Sequence, residues 1–199
     1  PWMRREFPKL FYIVTPSNPA SSLEYYRATW TGISSGRGEQ TAAGYHFDMV
    51  DNPWLETNVI KNHGPLGALY PPLKYIMEGD TPTFLGLIDH GLGWEVDPAY
   101  GGWGGRYALY QPAGETRPIW TDHVNTRDTV AVEKGRTETS NQATIWRWRE
   151  QFQNDFAARM NWCVADDFRK ANHSPRPVLN NNRSTDVVAL SAKGRSTVK

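Results

Sequence analysis

The chain has 199 residues, with 22 Lys and Arg against 21 Asp and Glu, a net charge of +1, and 39% hydrophobic residues. That balance suits about one and a third average domains and excludes a collagen, a disulfide scaffold and wholesale disorder. No apolar run reaches the ~18 residues that would span a membrane. No charged-then-apolar leader follows Pro1, and the single Cys163 permits no internal disulfide. Nine Trp, nine Tyr and seven Phe form a heavy aromatic load, which serves either a large aromatic core or a sugar-stacking surface.

In chain order, Lys9 to Val14 is an unalternating apolar run between Pro8 and Pro16, the pattern of a strand buried on both faces. Ser21-Ser22-Leu23-Glu24 has capping-box spacing and predicts a helix through Trp30. Asp51-Asn52-Pro53 begins a second helix, a capping side chain ahead of a proline, running to about Asn62 and stopping before His63-Gly64-Pro65. A third, apolar helix is expected from Pro82, with Thr81 as cap. From Gly91 to Gly114 the glycine and aromatic content disfavours helix and long strand; glycines flanking Trp103 suggest a tight loop presenting an indole. Val124 to Gln142 is polar and reads as an exposed excursion.

Ala143 to Val164 carries the strongest helical signal. Ile145, Trp148, Phe152, Phe156, Met160 and Cys163 form one apolar stripe, with Arg147, Arg149, Glu150 and Asn154 off it. At 1.5 Å rise such a helix is roughly 33 Å long. Cys163, closing the stripe, is expected to be a buried thiol, and Trp146 either packs on a neighbouring element or is exposed. Residues 169–199 then carry a net charge of +6 and the remainder −5. The tail reads as a linker followed by a strand at Val187-Val188-Ala189-Leu190, and its basic residues are too sparse for a nucleic-acid arm.

Five histidines without zinc spacing, and no nucleophile elbow, phosphate loop or dinucleotide fingerprint, set several chemistries aside. Asp89-His90 and Asp122-His123 read as surface or capping neighbours. Glu78-Gly79-Asp80, just ahead of a helix start, has two readings. The paired carboxylates could bind a hard cation or divide acid and base roles in glycosidic cleavage, or Asp80 simply caps the helix. Trp103 could stack on a sugar or base, or plug its own loop.

Several long motifs occur together in order: Phe7-Pro-Lys-Leu-Phe-Tyr-Ile-Val, His63-Gly-Pro-Leu-Gly, Glu78-Gly-Asp-Thr-Pro-Thr-Phe-Leu, Gly101-Gly-Trp-Gly-Gly-Arg-Tyr and Phe152-Gln-Asn-Asp-Phe-Ala-Ala-Arg-Met-Asn-Trp-Cys. Over roughly residues 1–175 the chain resembles the cellulose-binding proteins whose N-terminal domain is nucleoside-hydrolase-like. The resemblance implies an α/β fold with an open, mostly parallel sheet and flanking helices, its N-terminal part lying before Pro1. Residues 1–172 are then the C-terminal portion of that domain, and residues 173–199 a linker and the first strand of a β-sandwich.

Nucleoside hydrolases cleave the N-glycosidic bond with a calcium ion that holds the ribose diol and a water. The resemblance places Asp80 as a metal ligand. The resemblance puts the leaving-group acid position at Gly79, with the neighbouring Glu78 as a candidate substitute. Trp30, His63, Trp103 and Arg106 are expected to line the sugar. Two hypotheses follow. The first is a hydrolase of N-glycosyl or related glycosidic bonds, calcium-dependent in the intact protein and inactive in this stretch alone. The second is a non-catalytic polysaccharide-binding protein that uses the hydrolase fold as a scaffold. Expected ligands are a carbohydrate or a nucleoside-like small molecule, cellulose among them, with no nucleic acid and no membrane. The expected location is extracellular or periplasmic, where Asn172-His173-Ser174 and Asn182-Arg183-Ser184 would be glycosylation sequons in a eukaryotic source.

Overall fold

The structure, a computed structural model, describes residues 2–13, 47–74, 84–110, 116–121, 126–131, 135–140, 143–173 and 175–184, with Ser191 and Gly194. The predicted helix at 21–30 and strand at 187–190 lie outside these residues, as do Trp30, Glu78 and Asp80.

Helix α1 spans Trp2–Glu6. In the run that follows it, Leu10 and Phe11 are exposed rather than buried on both faces, Ile13 makes a parallel bridge to Trp120, and Trp120 N–H donates to Tyr12 O at 2.9 Å. Helix α2, Asn52–Leu55, starts as the sequence indicates: the Asp51 carboxylate accepts from Trp54 N–H at 2.8 Å, with Pro53 in the first turn. It widens into a π-helical turn, Glu56–Ile60, and ends at Lys61. The proline read as a stop also opens a further helix, α3, Gly64–Leu69. Gly67 lets α3 fold back on that turn, because a Cβ there would lie 2.5 Å from Val59 O.

Of the expected apolar helix after Pro82, the described residues are helical at Phe84 and Leu85 and then break into turns. A 3-10 turn at Pro98–Tyr100 precedes the glycine-rich loop. Beyond the loop come two antiparallel hairpins. Strand β1, Ala108–Tyr110, pairs with β2, Ile119–Thr121, with Leu109 opposite Trp120. Strand β3, Asp128–Ala131, pairs with β4, Thr137–Ser140, with Val130 opposite Glu138. Among the described residues the Ile13 bridge is the single parallel pairing. The described part of the polar 124–142 stretch is therefore an antiparallel strand pair with Thr129, Thr137 and Thr139 exposed and Val130 buried.

The long helix is interrupted. Helix α4, Ala143–Trp146, and helix α5, Arg149–Trp162, are separated by a turn in which Trp148 N–H bonds to Ile145 O at 2.9 Å. The fourteen residues of α5 measure about 21 Å, not the ~33 Å of an unbroken helix. The break changes the angular phase, so that Trp146 and Arg149 both enter the core although one continuous stripe would exclude them. Arg149 is fully buried with its guanidinium 6.0 Å from the Trp146 ring centroid. Cys163 is exposed, contrary to expectation. The helix ends at Trp162, and the Cys163 thiol donates to Arg159 O at 3.3 Å on the outside of the last turn.

The core gathers Val50, Leu55, Val59, Leu85, Trp94, Tyr107, Val130, Ala143, Ile145, Trp146, Phe152 and Met160. At its aromatic end Trp94 meets Tyr107 and Phe11 edge-on, at 5.8 Å each.

Candidate functional site

The glycine-rich loop rests on this aromatic end. Gly102 packs against His90 and Trp94; a Cβ there would stand 2.9 Å from the imidazole and 3.3 Å from the indole. The Tyr107 hydroxyl reaches back to Gly104 O at 3.3 Å, closing the loop on itself. Trp103 is held half-buried, its ring tilted 38° against His90 with centroids 5.2 Å apart. It is packed on the core and partly open to solvent.

His90 is the hub of this arrangement. Leu92 N–H points at its Nδ1 at 3.3 Å and Trp103 N–H at its Nε2 at 3.5 Å. A neutral imidazole can accept one of these at a time, according to its tautomer, and an imidazolium neither. Partial burial pushes the His90 pKa below its ordinary value of 6.5, against the opposing pull of Glu95 and Asp89. The structure thus ties His90 to Trp103, a link that Asp89-His90 as a dipeptide does not reveal.

Arg106 leaves the loop in a defined direction. Its backbone N–H donates to Thr144 Oγ1 at 3.2 Å, and its Nη2 to Asp128 Oδ1 at 2.7 Å. The other carboxylate oxygen, Oδ2, accepts from Arg147 Nη1 at 2.8 Å. Asp128 opens β3 and Arg147 lies in the α4–α5 turn, so one carboxylate joins three segments. Sequence reasoning missed both residues. The alternating β-branched Thr129, Val130, Thr137 and Thr139 around Gly135 were the available signal for the hairpin that positions Asp128.

His63 sits elsewhere in the contact network. It is buried at the start of α3, its Nε2 3.2 Å from Asn161 Oδ1 on α5. In the tautomer with Nε2–H donating, the buried Nδ1 has no donor among the described residues. Trp103 and Arg106 thus share one loop, whereas His63 is tied to α5.

Among the described residues no group of three or more His, Cys, Asp or Glu is arranged to hold a metal, and no helix is long and apolar enough to cross a membrane.

Comparison with known proteins agrees with the motifs. No curated protein matches the chain. A solved structure from Saccharophagus degradans, described as a nucleoside hydrolase-related hypothetical protein associated with carbohydrate metabolism, is similar with a TM-score of 0.55 and 29% identity. The similarity covers 94% of this chain and 37% of that one, so the chain spans little more than a third of its relative. A mixed α/β fold of nucleoside-hydrolase-like kind accounts for this likeness. Residues 1–107, more than half of the chain, match the family model of the nucleoside hydrolase-like domain of cellulose-binding Sde182, and the chain belongs to that family.

Proposed function

We propose that the domain binds a carbohydrate chain across the glycine-rich loop, with the Trp103 indole as stacking platform and Arg106 as hydrogen-bond donor. The supporting observation is the packing around the half-buried Trp103 ring and its loop. Gly102 seats the loop on Trp94, His90 backs the indole, and the Asp128 carboxylate aims Arg106. An aromatic held in this way loses little rotamer freedom on binding, so more of its contact energy appears as affinity. Membership of a cellulose-binding family and a relative tied to carbohydrate metabolism support a glycosyl ligand. His63 and Trp30 are assigned to further sugar contacts. With a polysaccharide ligand, the proposed location is extracellular or periplasmic, the basic tail is read as a linker, and neither nucleic acid nor membrane is a proposed partner.

A hydrolytic reading is favoured by the nucleoside hydrolase-like family match. In the intact protein, Asp80 would contribute to a calcium site and Glu78 would protonate the leaving group of an N-glycosyl or related bond. The described residues contain no donor cluster for such an ion, so its ligands would have to come from Asp80 and from residues outside them. When bound, calcium would orient a sugar diol and polarise a water. The whole-protein architecture that goes with this reading is an open, mostly parallel sheet followed by a β-sandwich.

Retention on cellulose, compared between the wild-type full-length protein and Trp103→Ala, tests the binding reading. Loss of at least tenfold in Trp103→Ala, with recovery in Trp103→Phe, is expected; equal retention of all three refutes it. Calcium calorimetry on the full-length protein tests the second reading. Heat of binding abolished by Asp80→Ala is expected, and binding unchanged by that substitution removes Asp80 from the site.

A further inference from the structure

We propose that the Arg106–Asp128–Arg147 cluster binds the carboxylate of a uronic acid residue, making the ligand of the glycine-rich loop an acidic polysaccharide. This rests on the carbohydrate reading of the loop and narrows its substrate class.

The cluster has the charge and donor balance of an anion site. Two guanidiniums share one carboxylate, which leaves a local charge of +1. The Asp128 side chain is 9% exposed, whereas those of Arg106 and Arg147 are 36% and 44% exposed. The carboxylate is therefore the buried anchor and the two arginines are the accessible part. Each guanidinium has five N–H donors. Among the described residues each gives one side-chain hydrogen bond, to a separate oxygen of Asp128, and the buried Arg106 Nε has no acceptor. The remaining N–H groups of the two half-exposed guanidiniums are thus unspent, whereas Arg106 Nε is enclosed by the loop. The Arg147 guanidinium lies 5.2 Å from the Trp148 ring centroid, which restricts its plane. A second carboxylate can be taken in bidentate fashion by such prepositioned forks.

Glu138 lies two residue pairs along the β3–β4 ladder, opposite Val130, with Arg136 as its cationic neighbour. A neutral glucan has no group that uses the surplus positive charge. A uronan carries a carboxylate on every acidic ring, and Arg106 follows Trp103 by three residues in the same loop. Phosphate shares the same fork chemistry, and a separate experimental arm addresses it.

Calorimetry on the full-length protein at low salt compares three probes: a polygalacturonate oligomer, a cello-oligosaccharide of equal length and inorganic phosphate. The wild type is expected to bind the uronate oligomer at least tenfold more tightly than the neutral one, with the preference falling as salt rises. Arg147→Gln is expected to bring that ratio close to one, and Arg147→Lys to retain part of it. Circular dichroism and Arg106→Lys, which changes the second fork alone, separate loss of recognition from loss of fold. Equal wild-type affinity for both oligomers overturns the acidic-sugar assignment and leaves carbohydrate binding standing. Binding of neither overturns both. A preference that survives Arg147→Gln, or phosphate binding as tight as that of the uronate oligomer, overturns the assignment of this cluster to a sugar carboxylate.

Discussion

Asp128 is the junction on which the candidate site depends, and replacing it with Asn isolates its charge from its shape. The carboxylate accepts from Arg106 at 2.7 Å and from Arg147 at 2.8 Å. A hydrogen bond to a charged group is worth about 1.5–3 kcal/mol when well shielded. Here both guanidiniums are more than one-third exposed, which reduces each pair toward the ~1 kcal/mol upper end of measured surface ion pairs. Two pairs, plus the repulsion of two cations left facing a neutral amide, give a loss of about 2–3 kcal/mol. For a chain of this size that lowers the melting temperature by roughly 5–10 °C. Thermal melts of Asp128→Asn, Arg147→Gln and the double variant, at low and high salt, provide the assay. Arg147→Gln should cost less in the Asp128→Asn background than alone, because its partner charge is already gone. The reasoning fails if Asp128→Asn melts within about 1 °C of wild type, or if the Arg147 substitution costs the same in both backgrounds.

Other substitutions test the remaining contacts. Gly102→Ala places a methyl 2.9 Å from His90, an overpacking expected to cost about 1–3 kcal/mol in urea denaturation and to weaken Trp103-dependent retention on polysaccharide. Gly91→Ala, whose Cβ would meet nothing within 4 Å, tests backbone strain alone at φ +73° and should cost about 1 kcal/mol. His90 has a folded pKa below its ordinary 6.5, so the unfolded chain takes up the proton first as pH falls. The stability contribution is complete above about 6.5 and declines below it; His90→Gln should flatten that part of the stability–pH curve relative to wild type. Asp51→Ala removes the cap on Trp54 N–H and should lower stability by about 1 kcal/mol, read by circular dichroism melting.

What could be read from the sequence was mostly local. Asp51-Asn52-Pro53 marks a helix start because the capping bond spans three residues and needs no tertiary partner. The Ile145–Met160 stripe identifies a core-facing helix, yet its break at Arg147-Trp148 is invisible to a periodicity that both halves satisfy. Burial of Arg149 is likewise hidden, since charge argues for solvent until Trp146 supplies a face for it. The β3–β4 hairpin was obscured by a polar outer face. For the site, Trp103 and Arg106 stand out through the glycines around them, whereas Asp128 and Arg147 lie 22 and 41 positions from Arg106 in a chain of 199. Their convergence is a property of the packed hairpin and turn, not of any spacing.

The contacts that close the molecule cross its sequence midpoint repeatedly. Ile13 bridges to Trp120, Gln153 Nε2 donates to Met49 O at 2.5 Å, and His63 meets Asn161. The family match ends at residue 107, but the fold has no seam there. During synthesis the segments Phe47–Val50 and Glu56–Ile60 gain their packing against α5 only after it emerges. Such non-local closure slows folding and exposes the nascent chain to aggregation. Pieces cut near residue 107 would be expected to remain insoluble apart and to recover solubility only when expressed together.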